Sequence, residues 1–442
     1  MSLKNKIINK EAIVGIVGLG YVGLPLAVSI AVSGYKVIGI EVDEEKVAKL
    51  LKGVSYIKDV SDESIEKEVR KGSLLGTSDY KKMSQTDVII ICVPTPLKDN
   101  TPDVSYIYQT VKNIKQYAKK PSLIILESTS YPGTTEEVIM KELEGDGWIL
   151  GKDFNLCFSP ERVDPGNELF NLKNTPKIVG GISQQCTELA GLLYEKVANE
   201  VFFVSSAKTA EMVKLLENTF RSINIAFINE MALMCEKMEL NIWEVLEAAS
   251  TKPFGFMTFY PGPGIGGHCI PIDPNYLEWK AQTFNFSSRF IRLATEINES
   301  MPEYIVSTIG EILKTESKSL EGSKVLIVGV AYKKDIDDIR ESPAFKIRNM
   351  LVNNKATVDY HDPYVKEIII DNKKIYSIEL NEENLKQYDC AVIITNHSTI
   401  DYRLLIENTK IIYDTRNAIR EKNERVFSLG GVKHRYESKN KW

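Results

Sequence analysis

The sequence predicts an α/β protein built as two doubly wound domains joined by a long central helix. Three observations carry that expectation. Short apolar runs of strand length alternate with helical stretches over residues 12–206, a segment without glycine or proline follows at 207–240, and a second alternation begins near residue 324.

Residues 12–18, AIVGIVG, form the first strand candidate. A glycine turn, the helical run YVGLPLAVSIAVSG and the strand KVIGIEV complete a βαβ unit. Further strands are expected at DVIIICV (87–93), SLIILES (122–128), NLCFS (155–159), PKIVGG (176–181) and EVFFVSS (200–206), so the sheet should be largely parallel. Residues 207–240 are rich in Leu, Met, Glu and Ala, which suits one helix. Its apolar content covers much of the circumference, which predicts burial between domains or subunits and a homodimer. ESKSLEGSK (316–324) reads as a surface linker, and KVLIVGVAY opens the second α/β region, continued by ATVDYHD, DCAVIITN and KIIYDTR. The expected domains are therefore 1–206, 207–315 and 316–442.

Composition narrows the function classes. In 442 residues, 43% are hydrophobic, 26% are charged and the net charge is -5, so neither nucleic acid nor an anionic membrane is an expected partner. No window approaches the roughly 20 apolar residues of a membrane span, and the N-terminus reads as a strand entering a turn. The cysteines at 92, 157, 186, 235, 269 and 390 form no C-x-x-C pair, which predicts free thiols, a cytoplasmic location and no metal site.

The turn after the first strand is a G-x-G-x-x-G, with Tyr21 and Val22 between the second and third glycines. Gly18 permits the tight turn, Gly20 lets backbone approach a pyrophosphate, and Gly23 allows close helix packing, which together make the first domain Rossmann-like. Glu41 ends the next strand, where a carboxylate binds ribose hydroxyls and repels a 2′-phosphate, so the expected cofactor is NAD. Asp43 reads equally well as the cap of the following helix. The turns Val93-Pro94-Thr95-Pro96 and Glu127-Ser128-Thr129 follow two further strands and are expected to border the dinucleotide, although turn chemistry alone also explains them.

The loop GPGIGGHCIPIDP (262–274) crowds four glycines and three prolines around Cys269. The other five cysteines are read as buried spectators. A thiol beside a dinucleotide suggests oxidation at the aldehyde level, in which thiolate adds to a carbonyl, hydride leaves, and a thioester is hydrolysed. His268 adjoins the thiol, but neighbouring side chains often point apart. Lys214 and Asn218 lie one helical turn apart and share a face, although each alone would read as a solvated surface group.

In order along the chain, GLGYVGLPLA, VPTP, ESTSYPGTT, SPERVDPG, KLLEN, PGPGIGGHCIPIDP and AYKKDIDDIRESP resemble the UDP-glucose/UDP-N-acetylhexosamine 6-dehydrogenase family. The resemblance implies a three-part enzyme that oxidises the C6 alcohol of a UDP-sugar to a carboxylate in two NAD+-dependent steps. It implies Cys269 as nucleophile, with Lys214, Asn218 and Asp273 around it, Glu161 in thioester hydrolysis and Thr129 placing water. The base of the first step stays open between Lys214 and Asp273. Tyr260, Gly262 and Gly264 match the loop that wraps the UDP, Tyr332, Lys333, Arg340 and Arg416 match C-terminal positions that reach substrate, and Arg162 and Val163 beside Glu161 are implied to bind substrate as well. Without the resemblance, KKDIDDIR would read as a solvated, self-paired loop.

His268 and Ile272 stand where the UDP-glucose branch has serine and lysine, and the continuation Asn275, Tyr276, Leu277, Glu278, Trp279, Lys280 resembles enzymes acting on UDP-N-acetylglucosamine. The expectation is a UDP-N-acetyl-D-glucosamine 6-dehydrogenase serving polysaccharide or glycan assembly, with Arg162 and His268 near the acetamido group. The alternatives are the same reaction on UDP-N-acetylmannosamine, UDP-N-acetylgalactosamine or UDP-glucose, an alcohol dehydrogenase stopping at aldehyde, and a non-catalytic NAD- or nucleotide-sensing scaffold.

Overall fold

Runs of Val, Ile and Leu form strands where the sequence expects them. The computed structural model describes residues 1–98, 101–162, 164, 166–167, 169–267 and 269–431. Their contacts divide into two units, Met1–Glu217 with Asn275–Phe286, and Asn218–Pro274 with the described residues from Ser287 onward.

The first unit contains β1 (Ile13–Val17), α1 (Gly23–Val32), β2 (Lys36–Ile40), β3 (Leu74–Thr77), β4 (Val88–Ile91), β5 (Ser122–Leu126), β6 (Phe154–Phe158), β7 (Lys177–Gly181) and β8 (Val201–Phe203). They form one sheet in the order β3-β2-β1-β4-β5-β6-β7-β8. The first six strands are parallel and in doubly wound order, with the switch point between β1 and β4. β7 then runs antiparallel to β6, pairing Gly181 with Cys157 and Gly180 with Phe158. Because successive side chains face opposite sides of a strand, Val88, Ile90, Leu123 and Ile125 enter one core, whereas Ile89, Ile91, Ile124 and Leu126 enter another. A sheet buried on both faces requires such unbroken apolar strands.

In the second unit β9 (Lys324–Val328), β10 (Thr357–His361), β11 (Cys390–Ile393), β12 (Ile412–Asp414) and β13 (Val426–Ser428) form a parallel sheet in the order β10-β9-β11-β12-β13. Its strands alternate between two cores in the same way, with Val325 and Ile327 in one and Leu326 and Val328 in the other. Strands β3 and β13, at sheet edges, carry no legible signal: LLGT and VFS are short and lack a sustained apolar run.

The glycine-free segment forms α2 (Ala207–Lys237), a 31-residue helix that passes from the first unit into the second. It stops short of the expected residue 240 because Glu239 adopts a left-handed φ of 60° and the Leu240 N–H bonds to the Cys235 carbonyl at 2.9 Å, closing the helix end. Beyond it come α3 (Asp273–Gln282), α4 (Arg289–Thr315) and, in the second unit, α5 (Pro343–Asn353).

The first turn separates two kinds of glycine. A Cβ on Gly23 would lie 1.8 Å from the Gly18 carbonyl oxygen, whereas one on Gly20 would meet nothing within 4 Å. Gly23→Ala should therefore destabilise the protein by about 1–3 kcal/mol, while Gly20→Ala should stay within about 0.5 kcal/mol of the unmodified protein. Denaturant unfolding of the two variants checks this contrast.

Candidate active site

The residues expected to border the dinucleotide stand at or just past the C-terminal ends of β1, β2, β4 and β5 in the first unit. Gly18 has φ of 88°, and a Cβ there would lie 2.6 Å from the Cys92 carbonyl oxygen, so only glycine fits. Gly20 borders open space where a pyrophosphate backbone contact is expected, and Tyr21 and Val22 lead into α1. The residues thus fit NAD. Glu41 is buried and accepts the Leu19 N–H at 2.9 Å and the Asp43 N–H at 3.2 Å, so it braces the glycine turn and keeps further lone pairs on each oxygen. Asp43 caps the next helix through the N–H groups of Glu45 and Lys46.

The two expected border turns are tied together. Thr95 Oγ1 donates to the Thr129 carbonyl at 2.5 Å and Ser128 Oγ donates to the Val93 carbonyl at 2.7 Å. Pro94 is exposed beside them, and Tyr276 of α3 donates its hydroxyl to the Thr95 carbonyl.

Glu161 and Arg162 follow β6. Lys214 of α2, itself buried, donates to the Glu161 carbonyl at 2.5 Å, while the Arg162 N–H donates to Glu161 Oε1 at 2.8 Å. The Arg162 guanidinium is held by Glu217 at 2.7 Å and by the Pro176 carbonyl at 2.7 Å. Val163 and His268, both expected near substrate, lie outside the described residues.

In the second unit, Asn218 of α2 donates to Asp273 Oδ2 at 2.5 Å, and both are buried. The Cys269 carbonyl accepts the N–H groups of Ile272 and Asp273 at 3.1 and 2.8 Å, which starts the turn into α3. Cys269 is half-buried, whereas burial pushes the Cys157 thiol well up and that of Cys390 to about 12, which keeps those two as neutral thiols.

The loop glycines answer to the C-terminal region. A Cβ on Gly262 would lie 2.4 Å from Arg416 Nη1, one on Gly266 2.7 Å from Tyr332 Cβ, and one on Gly267 2.8 Å from the Tyr332 ring. Gly264 has φ of 126°, and the Gly267 N–H bonds to the Arg340 carbonyl at 3.0 Å. Tyr332, Arg340 and Arg416 thus gather at this loop, Lys333 is half-buried next to Tyr332, and Tyr260 stacks on Trp243 with ring centroids 6.1 Å apart. The Arg340 guanidinium is forked onto Asp338 at 2.6–3.0 Å. Burial lowers the Arg416 pKa to about 10, which leaves it cationic at neutral pH.

Sequence reasoning passed over four groups. Lys177 and Tyr194 both bond to buried Glu127, and Asn229 of α2 accepts the Gly262 N–H at 2.9 Å. Glu211 accepts the N–H groups of Gly133 and Thr135, the latter at 2.8 Å, and so anchors the segment that follows Thr129. Glu211 and Asn229 had a legible signal, because the spacing 211, 214, 218, 229 puts them on the helix face shared by Lys214 and Asn218. Among the described residues no cluster of three or more His, Cys, Asp or Glu has the arrangement of a metal site.

Burial pushes the Glu211 carboxyl up to about 7. The folded state then holds its proton more tightly than the unfolded chain, so stability falls as pH rises from about 4.5 to about 7. Glu211→Gln lacks this loss, and the melting-temperature advantage of the unmodified protein over the variant should shrink between about pH 5 and about pH 8. Thermal melts across that range check the sign.

Residues 12–198 match the NAD binding domain, 208–300 the central domain and 326–421 the UDP binding domain of the UDP-glucose/GDP-mannose dehydrogenase family. A UDP-N-acetyl-D-mannosamine dehydrogenase of Methanocaldococcus jannaschii is 36% identical over 95% of this chain and 94% of its own. The structure of a UDP-N-acetyl-D-mannosamine dehydrogenase from Pyrococcus horikoshii superposes with a TM-score of 0.87 at 33% identity, covering 95% of this chain and 99% of the other. That of an NDP-N-acetyl-D-galactosaminuronic acid dehydrogenase from Methanosarcina mazei gives 0.81 at 31% identity over 98% and 99%. The chain belongs to the UDP-glucose/GDP-mannose dehydrogenase family, whose members are NAD-dependent oxidoreductases of nucleotide sugars.

Proposed function

We propose that the protein is a UDP-N-acetylhexosamine 6-dehydrogenase that takes the C6 alcohol to the carboxylate through a Cys269 thiohemiacetal and thioester. The observation that carries this reading is Cys269 at the turn into α3, with Asp273 hydrogen-bonded to Asn218 in the same unit. A helix N-terminus favours negative charge, which suits a thiolate nucleophile. NAD+, when bound, supplies the hydride acceptor for both oxidations. Lys214 stabilises negative charge developing on the C6 oxygen, Asp273 relays a proton through water, and Glu161 with Thr129 places the water that releases the acid. Arg416 and Lys333 supply positive charge for the diphosphate, and Arg340 presents its guanidinium on the same loop as Lys333.

The names of the relatives favour the manno configuration at C2, so UDP-N-acetyl-D-mannosamine is the first substrate to test. The motif GGHCIPIDP with its continuation through Lys280 supports UDP-N-acetyl-D-glucosamine as the second. The acid product suits polysaccharide or glycan assembly. We place the protein in the cytoplasm, in keeping with six free thiols and with no described helix long and apolar enough to cross a membrane.

We also read the protein as a homodimer built on α2. Phe220, Phe227 and Met234 recur every seven residues along this helix and are each about half exposed, at 45%, 50% and 46%. Apolar side chains in such a stripe normally face a partner.

Purified protein incubated with NAD+ and its UDP-hexose or UDP-N-acetylhexosamine substrate should give two NADH per sugar and a product whose mass reflects the gain of one oxygen and the loss of two hydrogens. Cys269→Ser should lower turnover by on the order of 1000-fold or more. One NADH per sugar would reject the second oxidation, and tight NAD binding without reduction by any UDP-sugar would favour the sensing scaffold. In sedimentation the protein should run at about twice its 49.8 kDa chain mass, and Phe227→Asp should shift it to the monomer. A monomeric unmodified protein at micromolar concentration would remove the dimer reading.

A further inference from the structure

The first sheet departs from parallel order at one junction among the described residues, and that departure delivers a cation. Because β7 runs antiparallel to β6, its first residue, Lys177, lies beside the C-terminal end of β6, where Pro160 and Glu161 follow. Lys177 is 5% exposed, and lysine is rarely so buried unless paired. Its ammonium donates to Glu127 Oε2 at 2.8 Å and to the Pro160 carbonyl at 3.3 Å, and stands 3.9 Å from Glu161 Oε2. Tyr194 donates to the other oxygen of Glu127 and lies under the ammonium at 5.1 Å. Burial alone would lower the lysine pKa, but Glu127 and Glu161 outweigh it and raise it, so the group stays charged.

One cation therefore joins two segments. Glu127 opens the turn that carries Thr129, and Pro160 opens the segment that carries Glu161. We infer that Lys177 is a positioning residue that holds the Thr129 turn and Glu161 in register for hydrolysis of the thioester. The inference rests on the functional reading above. In that step water adds to the thioester carbonyl, the carbon–sulfur bond breaks, sulfur leaves as the Cys269 thiolate, and the proton of water passes to Glu161; no oxidant is consumed. Both hydride transfers precede it.

The test uses Lys177→Met, Lys177→Arg and the double variant Lys177→Met/Glu127→Gln, which removes both buried charges together so that folding does not have to carry an unpaired one. Each is mixed rapidly with NAD+ and the UDP-sugar that the unmodified protein oxidises, while NADH per site and the intact protein mass are followed. The Met and double variants should retain a first burst of two NADH per site, then turn over on the order of 10- to 100-fold more slowly, with a sugar acyl adduct accumulating on Cys269. Lys177→Arg should restore most of the steady rate. Unchanged steady turnover in the double variant overturns the assignment, as does loss of burst and steady rate in equal measure without adduct. An unmodified protein that reduces no NAD+ with any UDP-sugar removes the underlying reading and this assignment with it.

Discussion

Backbone pressed against backbone at the C-terminal ends of the parallel strands in each large sheet is the constraint on which the rest of the structure depends. In the first unit the Cys92 carbonyl, just past β4, occupies the place of any Cβ on Gly18, just past β1. In the second unit the Thr395 carbonyl, past β11, excludes a Cβ from Gly329, past β9, at 2.4 Å. Each pair flanks a switch point where helices leave to opposite faces and a crevice opens. An acid at the end of the neighbouring strand grips the turn in both cases. Glu41 takes the Leu19 N–H, and Asp362 takes the N–H groups of Val330 and Ala331 at 2.7 and 3.0 Å. The second sheet thus keeps the first glycine and the acid of the fingerprint while lacking the other two glycines.

Charge is then concentrated at the same edge of the first sheet. Glu127, Glu161, Lys177 and Lys214 are all buried there, and Glu211 lies one turn before Lys214 on α2. Removing such groups from water costs more than a surface ion pair returns, and the cost is bearable only where every carboxylate meets a donor. The Lys177–Glu127 pair and the backbone donors to Glu211 meet that condition. A polar cluster of this kind fixes the loops that carry it, because each loop must keep its partner to avoid an orphaned charge.

The thiol loop shows how one residue type serves two purposes. Read from sequence, its glycines let a substrate approach. In the fold, a Cβ on Gly266 or Gly267 would collide with Tyr332, and the Arg416 guanidinium comes within 3 Å of where one on Gly262 would stand. The loop that carries Cys269 is thereby shaped by residues expected to hold the nucleotide, and Asn229 fixes it from α2.

By itself the sequence determined the two doubly wound sheets, the long helix and the glycine turn, because strand alternation, missing helix breakers and a fingerprint at the end of a strand are local signals. It also singled out Lys214, Asn218 and Cys269, through helical spacing and an overconstrained loop. Tertiary structure alone decided that β7 turns antiparallel, that α2 ends at Lys237, that Arg162 is held by Glu217, and that Lys177 reaches both Glu127 and Glu161. Those outcomes depend on which distant groups meet in space. A lysine at the head of an apolar strand looks ordinary until the strand's direction places it beside two carboxylates.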